Sequence, residues 1–206
     1  KYLFSLENRG IKLGLHRTIR LLQSCDNPHK KFRVIQIIGT NGKGSSSAIL
    51  NQLFKSHYKV GLYTSPHLYS FQERIRLNGE PIPIKKVQEF LKLYKNTIEK
   101  IEASFFEVMT VMATWYFANK KVDYAIMETG LGGKFDSVSA CEADLYGITS
   151  ISMDHMHILG SNLKLIAQEK VGGIQSQATI FSVYQNKIVE SEIQKYCINN
   201  KCKIKF

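Results

Sequence analysis

Cysteine is sparse in this chain, and the four present, Cys25, Cys141, Cys197 and Cys202, form no CxxC pair. Their spacing matches no zinc pattern, and a chain of 206 residues has no need of disulfide staples, so they read as reduced thiols of a cytoplasmic protein. No apolar run approaches the roughly 20 residues of a membrane-spanning helix, and the opening Lys1-Tyr2-Leu3-Phe4 lacks the organisation of a signal peptide. Acidic residues are also few, 17 Asp and Glu against 28 Lys and Arg, for a formal net charge of +11. That balance favours anionic partners: nucleic acid, a membrane surface, or small ligands carrying phosphates and carboxylates. The lysines are scattered, with short pairs such as Lys30-Lys31, Lys85-Lys86 and Lys120-Lys121 and no basic stripe interleaved with aromatics. They read as solvated faces, which leaves small-molecule anions ahead of nucleic acid or membrane as partners. Internal repeats and low-complexity segments are missing too.

What is present fits one globular α/β domain: 44% hydrophobic and 22% charged residues are ordinary values for a chain with a sizeable core. Ile11, Leu15, Ile19 and Leu22 stand at near-helical spacing over residues 11–24, and Asn27-Pro28 ends that pattern. Residues 32–38 form a β-branched run that breaks into Gly39-Thr40-Asn41-Gly42-Lys43-Gly44-Ser45, followed by a helical pattern. Strands are expected at 60–63, 122–127, 145–152, 178–183 and 201–206, and helices at 85–101, 104–119 and 188–198, with a turn at 77–81. Strands alternating with helices of this length predict a mostly parallel sheet covered on both faces.

Four polar motifs follow immediately after expected strands. In an open parallel sheet the carboxyl ends of the strands share one edge, so these motifs should converge there. The glycine loop is a phosphate cradle: its backbone amides can approach phosphate oxygens, the next helix presents its positive end, and Lys43 adds a full charge. It departs from the GxxxxGK[ST] pattern, because Ile37 occupies the first glycine position and Gly44 stands where a magnesium-binding hydroxyl is usual. Magnesium must then be held from neighbouring strand ends, by Ser65 and by Glu128, which closes an apolar strand as a Walker B acid does. His155, after Asp154, offers an imidazole to a divalent metal. Lys170, judged by its local sequence, reads as a solvated cation at a helix end.

Taken together, Gly39 to Ser45, Tyr63-Thr64-Ser65-Pro66-His67-Leu68, Glu73-Arg74-Ile75, Phe106-Glu107-Val108-Met109-Thr110, Glu128-Thr129-Gly130-Leu131-Gly132-Gly133 and Asp154-His155 with Leu159-Gly160 resemble the folylpolyglutamate synthase/dihydrofolate synthase family of the Mur ligases. The likeness runs over about residues 2–184. It implies a P-loop NTPase-like fold, the Mur ligase central domain. It implies that Thr40, Asn41, Gly42, Lys43, Gly44 and Ser45 bind ATP, that Ser65 and Glu128 hold one Mg2+, and that Glu128 and His155 help hold a second. It also implies that Lys170 is carbamylated and acts with Lys43 and His155 in catalysis, and that the Ser65-Pro66-His67 loop borders a pterin site. The activity implied is ATP-dependent joining of L-glutamate to a folate or dihydropteroate carboxylate through an acyl phosphate, by a monomer. The family's Gly-Gly-Arg-Leu-Asp-Ala-Thr-Asn stretch appears here as Gly132-Gly133-Lys134-Phe135-Asp136-Ser137-Val138-Ser139, and Glu-Lys-Ala-Gly-Ile as Glu169-Lys170-Val171-Gly172-Gly173-Ile174. The family also carries a Rossmann-like second domain for which residues 1–206 leave no room, so the chain reads as the ATP-binding domain alone. Another Mur-type amino-acid ligase, or a nucleotide-binding module without ligase activity, are the competing readings.

Overall fold

The computed structural model describes residues 2–10, 12 and 14–206. In chain order, α1 (Tyr2–Ser5) and α2 (His16–Ser24) precede β1 (Arg33–Ile38), α3 (Lys43–Phe54) and β2 (Val60–Tyr63). The hairpin β3 (Ile75–Leu77) and β4 (Glu80–Pro81) comes next, then α4 (Ile84–Lys100), α5 (Phe105–Asn119), β5 (Tyr124–Glu128) and β6 (Leu145–Ile148). Last are α6 (Met156–Leu159), α7 (Leu163–Val171), β7 (Thr179–Ser182), α8 (Lys187–Asn200) and β8 (Lys203–Lys205).

Among the described residues the strands form one sheet in the order β4-β3-β2-β5-β1-β6-β7-β8. β2, β5, β1, β6, β7 and β8 pair in parallel, whereas β3 runs antiparallel to both of its neighbours, β2 and β4. The register sets Ile37 beside Glu128 and Ile38 beside Ile148, so the loops leaving β1, β5 and β6 emerge side by side.

Side-chain alternation along the strands separates two cores. In β1, Val34 and Ile38 enter a large cluster shared with α2, α4, α5, α7 and α8, whereas Ile35 and Ile37 face the opposite way. The smaller cluster joins them to Val60, Leu62 and Ile126 under Leu50 and Phe54 of α3. Strands buried on both faces need near-continuous apolar runs, which is what β1, β2 and β5 carry, with the buried Gln36 as the polar exception in β1. α5 lies at the centre of the large layer, with twelve of its fifteen residues buried. Its amino end is fixed by a capping box: Ser104 accepts from the Glu107 N–H, and the Glu107 carboxylate accepts from the Ser104 N–H at 2.7 Å.

Three elements differ from the sequence expectation. The helix expected over 11–24 begins at His16, since Gly14 takes φ +111°, a conformation that glycine tolerates and a helix does not; Ile11 lies outside the described residues. The turn expected over 77–81 is a hairpin whose bend is Asn78-Gly79, both at positive φ. The strand expected over 145–152 stops at Ile148, because residues 149–152 leave the sheet to bind the glycine loop.

Candidate active site

The glycine loop takes its shape from contacts beneath it. Gly39 sits at φ +151°, and a Cβ there would lie 1.9 Å from Thr149 Oγ1; no other residue fits. The Thr40 and Asn41 N–H groups both donate to the Ser150 carbonyl, at 2.8 and 3.3 Å. Thr40 Oγ1 donates to the Ser152 carbonyl and accepts from the Ser152 N–H. Gly42, at φ +82°, then turns the chain into α3. The first intrahelical bond is Ser46 N–H to the Gly42 carbonyl, so the N–H groups of Lys43, Gly44 and Ser45 precede any helical acceptor and form the positive end of the helix. The six residues expected to bind nucleotide thus divide by role. The backbone of Thr40 and Asn41 docks the loop, and Lys43 to Ser45 offer their amides. Lys43 Nζ donates to the Thr40 carbonyl at 3.1 Å, which curls its side chain over the loop.

Glu128 ends β5 with its side chain almost fully buried, and it accepts a hydrogen bond from the Ser65 N–H at 3.1 Å. Burial raises its pKa, opposed by that bond and by the charge of Lys43. A Cβ on Gly44 would lie 3.6 Å from the Glu128 carboxylate. The missing side chain therefore leaves the carboxylate unobstructed at the point where a hydroxyl stands in the commoner phosphate loop. A buried carboxylate, the Ser65 residue bonded to it and a nearby cradle for phosphates suit Mg2+, which keeps waters and takes only one or two carboxylates. Among the described residues no set of three or more His, Cys, Asp and Glu is grouped as a metal-holding cluster.

His155 does not end a strand. It sits at φ +43° just before α6, half exposed, with Nε2 3.5 Å from Asp154 Oδ1. Lys170, which local sequence reads as solvated, is instead 2% exposed near the end of α7, and Nζ donates to the Gly39 carbonyl at 2.8 Å. Burial, and then the charge of Lys43, lower its pKa to about 8, against the pull of Asp154, Asp136 and Glu169. The backbone leaves no space between these segments: a Cβ on Gly133 would lie 1.9 Å from the Lys170 carbonyl oxygen.

Asp136 carries no role of its own in the sequence motif, yet it organises the loop after β5. Its Oδ2 accepts from the N–H groups of Gly130 and Leu131, and its Oδ1 from that of Val138, at 2.8 to 2.9 Å. Burial pushes its carboxyl up to about 6 in spite of those three bonds. An Asp ahead of a helical turn is a readable cap signal; its grip on two further amides is not. Ser139, standing where the family has Asn, donates to the Gly133 carbonyl and accepts from Gln36 Nε2, so that position still ties the loop to β1.

These segments enclose a cleft of about 440 Å³ whose walls include Lys43, Ser65, Arg74, Phe106, Leu131 and His155. Arg74 donates to His67 Nδ1 at 2.9 Å and lies 5.2 Å from the Phe105 ring centroid. On another wall, Glu107 is paired with Arg17 at 2.9 Å. The cleft therefore has a cationic end at the glycine loop and an apolar, aromatic stretch beyond it.

The description of the Mur ligase middle domain matches residues 37–204. The chain belongs to the Mur ligase family. Within that family it is similar to the Bacillus subtilis dihydrofolate synthase/folylpolyglutamate synthase, 42% identical over 174 residues, covering 81% of this chain and 40% of the relative. Its fold is similar to that of Escherichia coli FolC solved in complex with DHPP and ADP, with a TM-score of 0.91 and 31% identity over 98% of this chain and 50% of the other. An FPGS–AMPPCP–folate complex superposes with a TM-score of 0.89 at 28% identity, over 98% of this chain and 52% of that one. The chain spans about half the length, or less, of these relatives. No helix among the described residues is long and apolar enough to cross a membrane.

Proposed function

We propose that this chain is the nucleotide-binding part of a folylpolyglutamate synthase/dihydrofolate synthase type of ligase, which adds L-glutamate to a folate or dihydropteroate carboxylate with release of ADP and phosphate. The observation that carries the reading is the meeting of the Lys43 loop with Glu128 and Ser65 at one end of a cleft whose other walls are apolar and aromatic. The relatives solved with ADP, AMPPCP, DHPP and folate support the same ligand classes here.

In this reading the amides of Lys43 to Ser45 and the Lys43 ammonium bind the ATP phosphates, offsetting the charge that spreads over the transferring phosphoryl group. Ser65 and Glu128 would hold Mg2+, which would supply further positive charge at the phosphates, and His155 with Glu128 is the candidate for a second ion. The substrate carboxylate attacks the γ-phosphorus, and the glutamate amine then displaces phosphate from the acyl phosphate. The Phe106 ring and the apolar Leu131 beside it in the cleft lining suit a planar heterocycle.

Lys170 has the property carbamylation needs, an amine whose pKa is brought down to about 8. Its neutral nitrogen adds to the carbon of CO2 and loses a proton, leaving an anion and one N–H with which to keep the Gly39 bond. The four cysteines are all free and three are buried, which supports a reducing, cytoplasmic setting.

Isothermal titration with Mg·ATP tests the binding site on this chain directly: wild type binds, and Lys43→Ala does not. Mass spectrometry of a reaction with Mg·ATP, L-glutamate and either dihydropteroate or tetrahydrofolate tests the ligation, with a glutamyl adduct and ADP as the expected products. Nucleotide binding without an adduct on either acceptor would favour a binding module over the ligase. An undiminished Lys43→Ala variant would remove the nucleotide assignment.

A further inference from the structure

We infer that Gln185, remote from the cleft walls, is the residue that positions the phosphate loop. It stands in the connection between β7 and α8, where it reaches across to the segment leaving β6. Its Oε1 accepts from the Ile151 N–H at 3.1 Å, and its Nε2 donates to the Thr149 carbonyl at 2.9 Å and to Ser182 Oγ at 3.2 Å. Two of these partners are backbone groups of fixed polarity, so the side-chain amide has one orientation only: carbonyl toward Ile151, amino group toward Thr149.

The clamped segment is what the glycine loop rests on. Thr149 fills the space against Gly39, and Ser150 accepts from both Thr40 and Asn41. Ser152 exchanges hydrogen bonds with the Thr40 hydroxyl. Past Ile148 this stretch keeps a backbone bond on the β1 side, where the Thr149 N–H donates to the Ile38 carbonyl at 2.8 Å, but β6 has ended and its pairing with β7 goes no further. The Gln185 amide replaces that lost pairing with one acceptor and one donor, and the Val183 N–H bond to the Ile148 carbonyl at 3.1 Å is the last backbone tie before it. Gln185 is itself held firm, because the next residue, Asn186, caps α8 by accepting from the Ile188 N–H. A rigid helix start is thus linked through one side chain to residues 149–151, and through them to the amides that place Lys43, Gly44 and Ser45. The same segment leads on to Asp154 and His155.

This assignment rests on the nucleotide-binding reading for its functional consequence, but its structural content can be read without a ligand. The discriminating variants are Gln185→Glu, which keeps size and the acceptor yet sets an oxygen against the Thr149 carbonyl, and Gln185→Ala, which removes all three bonds. Amide hydrogen exchange on the ligand-free chain should show faster exchange at Thr40 and Asn41 in both variants, with β5 amides unchanged. Mg·ATP affinity should fall about tenfold, the cost of roughly one well-placed hydrogen bond. If Thr40 and Asn41 exchange as in wild type, or if β5 accelerates equally, the positioning role is overturned and Gln185 only stabilises the fold. If exchange responds and the two variants bind Mg·ATP as tightly as wild type, the control of binding is overturned. A wild type that binds no Mg·ATP would instead overturn the nucleotide reading, with the exchange result still deciding the loop coupling.

Discussion

Lys170 carries its charge in a place where charge is costly, and the sign of the consequence can be worked out. Its pKa is brought down from 10.5 to about 8 in the folded protein. Below pH 8 the folded and unfolded chains both hold the proton, and burial of the ammonium weakens the native state in full. Between about pH 8 and 10.5 only the unfolded chain holds it, so stability rises with pH, by on the order of 3 kcal/mol in total. Urea denaturation of wild type and Lys170→Met in CO2-free buffer measures this: the difference between them should shift toward wild type over that window. Asp136 runs the opposite way, since a carboxyl raised to about 6 lowers stability progressively as pH climbs from near 4 to 6. Asp136→Asn still loses stability, by about 1 to 2 kcal/mol, because its amino group would face the Val138 N–H.

Among elements, the β1–loop–α3 unit was legible from residues alone, since a β-branched apolar run, glycines and a following helical period are all local signals. Six strands and three long helices were read to within a few residues for the same reason. What was not legible depends on partners distant in sequence. The strand from Leu145 ends early because residues 149–152 bond to the loop and to Gln185, and nothing in their own composition announces this. Lys170 read as solvated because the Gly39 carbonyl that it meets lies 131 residues away. The antiparallel hairpin of β3 and β4 looked like a bare turn because its strands are only three and two residues long. At the start of α5 the capping box holds both ends of a local motif and also orients Glu107 toward Arg17. Ser104→Ala should therefore cost about 1 kcal/mol or somewhat more in a thermal or urea melt, with the larger loss expected because the Glu107 carboxylate also accepts from the Ser104 hydroxyl.

Across the whole molecule, the sheet has two unequal sides. α3 covers β1, β2 and β5, whereas on the same side β7 presents Phe181 at 49% exposure beside the half-exposed Val183. Its neighbour Ile180 points the other way and is fully buried against the large core. Adjacent residues on one strand should thus respond very differently: Ile180→Ala costs about 2 to 5 kcal/mol in urea denaturation, and Phe181→Ser less than about 1 kcal/mol. The positive charge is divided in a comparable way. Lys30 and Lys31 precede β1 and Lys120 and Lys121 precede β5, so pairing of those strands brings the two doublets to the edge opposite the cleft.

The glycine loop also bears on the order in which this protein takes shape during synthesis. Its strand and helix span residues 33–54, but its supports, Thr149, Ser150, Lys170 and Gln185, come between 110 and 146 positions after Gly39. A nascent chain emerging from the ribosome therefore has the whole loop sequence in hand long before it has the loop's shape. Only once Gln185 has emerged can the amides settle, so the loop acquires its shape far later in translation than its sequence, with closure of the crossover from β7 to α8.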